Sequence, residues 1–214
     1  MSVKRYDKRT IDRLLKELGD NLKKIKKKFI SVYLEEADPD PLSGPEVFEL
    51  DVKAFCVFAH AFIEDYLERI ALEVMERSVD EYIYKKKLIN PPLLTLVKWH
   101  NKGFNINNHE MEAEIKTFDV MKDALDKIKQ NYSMLLNGNH GISKKYVRNI
   151  FIPLSIDISD NPDWNSALAK LANERGSYAH KMVNRIINPQ EANEIVEYCL
   201  EFCRDIGSKA KKLF

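Results

Sequence analysis

Arg175 and His180 stand out as a pair because of where helical spacing puts them. Leu168, Ala172, Arg175, Ala179, Met182 and Ile186 fall on one stripe of an ideal helix. A guanidinium in a stripe of core residues is costly to bury unless it is paired or reaches a polar cleft. His180 lies about 140° further round the same helix, in a small, polar strip with Asn173, Gly176, Ser177 and Asn184. These residue types suit metal-free cleavage of RNA. RNA carries its own nucleophile, the 2′-hydroxyl, so a site needs a base for that proton, an acid for the leaving 5′-oxygen and a cation for the phosphorane charge. Histidine can take either proton role near neutral pH, and arginine is always charged and grips two phosphate oxygens at once. One such motif holds a single histidine; a symmetric homodimer apposing two of these helices would supply two. The same pair also admits a structural role, with Arg175 ion-paired, for instance to Glu64, and His180 on a helix surface.

The elements that must position this pair read as helices. Ile11, Leu14, Leu15, Leu18, Leu22, Ile25 and Phe29 recur at three- and four-residue steps, predicting one long amphipathic helix that ends near Glu36. The stretch 37–46, with three prolines and a glycine, predicts a loop. A second helix is expected from about Val47 to Ser78, with Val52, Phe55, Ala59, Phe62, Tyr66, Ile70 and Val74 as its stripe and Cys56, Ile63 and Leu67 widening it, at the centre of the core. Between residues 80 and 109, LLTLVKW looks like a short helix and NKGFNINN like a loop.

Helical spacing returns from about Met111 to Leu136, with a left-handed end expected at Asn137-Gly138-Asn139. SKKYVRNIFIPL reads as a short helix ending before Pro153, and a longer one should run from Trp164 to about Ile187. Asn188-Pro189-Gln190-Glu191 has the cap, first-turn proline and acidic third position that start a last helix at Pro189. No alternating run is long enough to demand a strand, so the fold class is all-α.

Composition narrows the function classes. Lysine and arginine nearly balance the acids for a net charge of +1 in 214 residues, so any RNA site must be local. The start lacks the apolar core of a secretory signal, and no stretch approaches the roughly 20 apolar residues of a bilayer span, so a cytoplasmic protein with no membrane partner is expected. Three cysteines give no disulfide framework, and Cys56, Cys199 and Cys203 sit in apolar periodic segments, where buried, reduced thiols are expected. There is neither a CxxC pair nor a phosphate-cradling glycine loop, nor a recognisable serine-hydrolase or glycosidase arrangement.

The surroundings of the pair carry more. LAKLANERGSYAHKMV, residues 168–183, resembles the signature helix of the HEPN superfamily, Arg followed by four to six residues and then His. FCVFAHAFIEDYLERI, residues 55–70, resembles that family's helix with a mid-helix acidic residue, and HGISKKYVRNIFIPLSIDISDNPDW the short helix and loop leading into the signature helix. The resemblance covers much of residues 48–206. It implies an HEPN-like helical bundle at 47–212; the long N-terminal helix at 1–36 and residues 80–110 lie outside the resemblance, and that helix is expected to pack on the bundle as part of one domain.

It also implies a metal-independent endoribonuclease of the toxin or phage-defence type, acting as a homodimer, with Arg175 and His180 as the active pair, no cofactor, and an antitoxin or defence-system protein as a partner. The chain departs from the pattern at Gly176, where many active members carry Asn, Asp or His. Either the pair is weakened or Asn173, Glu174 or Ser177 supplies the polar group, with Glu64 in support. Met182 stands two places after the histidine, which disfavours the subfamily with tyrosine there. The alternative is a non-catalytic HEPN-fold binding or scaffold module.

Among the remaining charged groups, NLKKIKKK at 21–28 makes a basic helix face. Lys23, Lys24, Lys27 and Lys181 are the candidates to guide an RNA backbone, although most lysine runs are solvated helix faces. His60 and Glu64 share a helix face, but the sequence offers too few further ligands to assemble a metal site there, and His100, His109 and Glu110 make a weaker case. No metal is expected.

Overall fold

The computed structural model describes residues 9–35, 45–85, 96, 117–138, 140–180 and 187–214, those at 175–180 as backbone only. Among the described residues the α-helices with defined bounds are α1 (Arg9–Phe29), α2 (Ser31–Glu35), α3 (Glu49–Lys85), α4 (Thr117–Gly138), α5 (Lys144–Phe151), α6 (Pro162–His180) and α7 (Pro189–Lys212). Short 3-10 turns at Pro45–Val47 and Ile152–Leu154 lead into α3 and out of α5. No strand occurs among the described residues. The protein is an all-α bundle.

Its centre is α3, which packs against α1, α4, α5, α6 and α7. The reason lies in its composition: Val52, Phe55, Cys56, Ala59, Ile63, Tyr66, Leu67, Ile70 and Val74 are all buried, covering more of the helix circumference than a surface helix needs. Its neighbours bring single stripes. Ile11, Leu14, Leu18, Leu22 and Ile25 of α1 are buried, as are Ile195, Val196, Cys199, Leu200, Cys203 and Ile206 of α7. Cys56, Cys199 and Cys203 are free thiols in this core. No helix among the described residues is long and apolar enough to cross a membrane.

Several boundaries differ from the periodicity. The first helix breaks at Ile30 rather than running to Glu36, because the Ser31 hydroxyl donates to the Lys26 carbonyl at 3.2 Å and the Ile30 side chain turns fully into the core. α3 continues to Lys85, seven residues past the expected Ser78; Val79 and Glu81 are still buried there, so packing carries the helix on. α4 includes Gly138 in helical form, and the positive-φ glycine is Gly141, at φ 135°, beyond the expected left-handed end. α6 begins at Pro162, before Trp164. The predicted Pro189 start of α7 holds: Asn188 Oδ1 accepts the Glu191 N–H at 2.8 Å. The LLTLVKW and NKGFNINN readings lie outside the described residues, except Leu96, which is helical and buried.

Candidate functional site

The helix that carries Arg175 and His180 is fixed at its start by the same device as α7. Asn161 caps it, its Oδ1 accepting the Asp163 and Trp164 N–H groups at 2.9 and 3.3 Å, and Pro162 fills the first position, where no donor is needed. Trp164 then packs edge-on against Phe202, with ring centroids 6.1 Å apart, and its indole N–H donates to Glu201 at 3.3 Å. Ala167, Leu168 and Leu171 are buried, which sets the rotation of α6 against α3 and α7. Lys170 pairs with Glu191 at 3.1 Å near the start of α7, while Trp164 meets Phe202 further along it, so α6 runs antiparallel to α7.

The helix continues unbroken to His180. Arg175 and His180 therefore ride on one rigid element, about 7.5 Å apart along its axis. Arg175 is four residues past the buried Leu171, which ideal geometry puts on the same side of α6. The side chains of Arg175, Ser177 and His180, and all of Lys181, lie outside the described residues. Of the supporting polar residues, Asn173 is exposed and Glu174 half-buried. The Glu174 charge is felt by Cys56, whose thiol is pushed up to about 12, first by burial and then by that carboxylate. Residue 174 of α6 thus stands level with residue 56 of α3.

Further along the same face of α3 lies a second group. His60 is buried, with its Nδ1 3.5 Å from Glu64 Oε2. One turn on, Glu68 Oε1 accepts the Tyr146 O–H at 2.7 Å. Burial pushes the Glu68 carboxyl above its ordinary range, and the Tyr146 hydrogen bond partly offsets this. His140, from the segment between α4 and α5, completes the cluster: one ligand atom each from Glu64, Glu68 and His140 lie within 4.8 Å of one another. Glu64 is eight residues, about 12 Å, beyond the level of Cys56. The pair His60–Glu64 was visible as an i, i+4 spacing. Glu68 extends that spacing by one more turn, but His140 and Tyr146 come from more than 70 residues away and carry no local signal.

The basic face does not join this region within one chain. Lys23, Lys24 and Lys27 are exposed on α1. α1 meets α3 through Phe58, which stacks on Phe29, and through Arg69, bonded to Glu17 at 2.9 Å. At 100° per residue, that face of α3 is roughly 170° from the one bearing Cys56, His60 and Glu64. α1 and α6 accordingly flank α3 on opposite sides. Between α1, α3 and α7 lies a groove of about 360 Å³, with Leu15, Leu22, Phe55, Val196 and Leu200 among its lining residues.

A family model described as RiboL-PSP-HEPN matches residues 20–212. The match takes in the second half of α1 and the whole of residues 80–110, beyond the region where the sequence alone showed a resemblance. No curated protein and no solved structure matches the chain.

Proposed function

From the premise that the chain belongs to the RiboL-PSP-HEPN family, we propose that it is a metal-independent endoribonuclease of the toxin or phage-defence type, built as a cytoplasmic homodimer around Arg175 and His180. The observation that carries this reading is the seating of α6. A capped, continuous helix is held on α3 and α7 by Trp164, Ala167, Leu168 and Leu171, and residue 175 follows four places after the buried Leu171 on that same helix.

In the proposed reaction His180 of one protomer takes the proton from the RNA 2′-hydroxyl. The 2′-oxygen attacks the adjacent phosphorus, and the 5′-oxygen leaves with a proton from the partner subunit's His180. Arg175 neutralises the phosphorane charge as it develops. The products are a 2′,3′-cyclic phosphate and a free 5′-hydroxyl. Lys181, next to the histidine, is the nearest of the proposed backbone contacts. Lys23, Lys24 and Lys27 lie on the far side of α3 and could reach the same RNA only from the partner protomer or along a wrapped strand. An antitoxin or defence-system protein is the proposed regulator.

Incubating RNA with the protein in excess EDTA tests the chemistry. Cleavage leaving cyclic phosphate ends, lost in His180→Ala and Arg175→Ala, is the expected result. Activity that needs a divalent ion, or leaves 3′-hydroxyl ends, would overturn it. Gly176, where many active members carry a polar residue, favours a second reading as a non-catalytic binding or scaffold module. Growth inhibition on expression, relieved by His180→Ala, separates the two, since an adaptor would not show it.

A further inference from the structure

We infer that Glu64, Glu68 and His140 form a binding site for a first-row divalent cation of the zinc type, which clamps the segment between α4 and α5 onto α3. The inference does not rest on the ribonuclease reading: Glu68 and His140 take no part in it, and Glu64 enters it only as a supporting polar group.

The donor set itself selects the ion. One imidazole and two carboxylates make a nitrogen and oxygen site, which suits zinc or manganese and does not resemble the all-oxygen shells of calcium and magnesium. The three ligand atoms lie within 4.8 Å of one another. Donors around a zinc ion with bonds of 2.0–2.2 Å sit roughly 3.3 Å apart, so a closing movement would bring the three donors into range and leave the fourth position to water. His140 is exposed and can make that movement, while both carboxylates project from consecutive turns of α3, a rigid helix.

A neighbouring side chain holds each carboxylate. Buried His60 stands 3.5 Å behind Glu64, and the Tyr146 O–H is fixed on Glu68 at 2.7 Å. Such outer contacts orient ligating groups and tune their basicity. Glu64 and Glu68 are like-charged residues at i, i+4, half-buried together, an arrangement that a bound dication would favour. The ion would also tie residue 140 to residues 64 and 68, and so hold α5, which packs on α3 and precedes the loop into α6.

The test uses the full-length chain freed of metal with EDTA and then titrated with zinc, manganese or magnesium, read by calorimetry and thermal unfolding. The expected result is binding of one zinc ion per chain with a rise in Tm of several degrees, a weaker response to manganese and none to magnesium. His140→Ala changes an exposed residue, so it should fold with an unchanged metal-free Tm and lose the zinc-induced shift. Tyr146→Phe should weaken zinc binding by about 10- to 100-fold, the usual cost of losing an outer-shell contact. Cobalt bound in place of zinc should give visible d–d bands without a thiolate charge-transfer band, which excludes Cys56, Cys199 and Cys203 as the ligands. No zinc-induced shift in the wild type, or a shift that survives His140→Ala, would overturn the proposal.

Discussion

Burial decides the chemistry available to single side chains in this bundle. Cys199 and Cys203 are held well above the ordinary thiol value of 9.0 chiefly by burial, as Cys56 is. None forms a thiolate near neutral pH, so none is a nucleophile. All three are therefore predicted to resist a thiol reagent in the native protein and to react fully in denaturant; rapid native labelling would contradict the packing. The same shifts fix the sign of an alkaline effect. A group whose folded pKa is raised adds stability below its unfolded value and loses it as pH rises toward the folded one. Tyr66, Tyr132 and Tyr146 are raised above 10.0 by burial too. Stability in urea is thus expected to fall between about pH 9 and pH 11, and a flat profile would count against these assignments. Gly207 is a second residue-scale case. A Cβ there would stand 2.6 Å from the Tyr66 hydroxyl, which donates to the Cys203 carbonyl at 3.0 Å. Gly207→Ala should cost about 1–3 kcal/mol through overpacking, with a smaller penalty in a Tyr66→Phe background, as a double-mutant cycle by urea unfolding would reveal.

At the scale of elements, two helices start by one rule. Asn161-Pro162 and Asn188-Pro189 each combine a side-chain acceptor with a first-turn proline. Replacing either asparagine by alanine should cost about 1 kcal/mol, and by glycine only a few tenths. The two caps differ in consequence, because α6 carries the proposed active pair. Asn161→Ala should lower Tm while leaving the cleavage rate of the folded protein nearly intact, since Trp164, Ala167, Leu168 and Leu171 hold the helix in place downstream. A loss of activity larger than the loss of folded protein would show that the cap also sets the position of Arg175.

For the whole molecule, the decisive geometry is the placement of α1 and α6 on opposite sides of α3. The basic face lies on one flank and the helix of the proposed catalytic pair on the other, and it is the single histidine per motif that calls for two chains. Subunit mixing tests this. An excess of His180→Ala protein exchanged into wild-type dimers should depress cleavage more than dilution predicts, because mixed dimers hold one histidine where acid and base need two. Activity that falls only in proportion to the wild-type fraction, or a monomer cleaving at full rate, would defeat the composite site.

The helices and most of their buried faces were legible in the sequence because helical periodicity is local: a residue and those three, four and seven places on face one way whatever they pack against. That was enough for the stripes of α1, α3 and α7, for the Asn188 cap and for the buried thiols. The spacing of Arg175 and His180 on one helix belongs to this class as well. Local rules failed where a distant partner decided the outcome. Ile30 turned into the core and broke α1, and burial carried α3 on to Lys85. The cluster of Glu64 and Glu68 with His140 and Tyr146 shows the limit most plainly. Its carboxylates share a face by spacing, but only the packing of α5 on α3 sets the tyrosine against Glu68, and only the path of the chain from α4 to α5 brings the imidazole within reach. Sequence separation hides such meetings, because nothing in a residue's own neighbours records which surface the folded chain will lay against it.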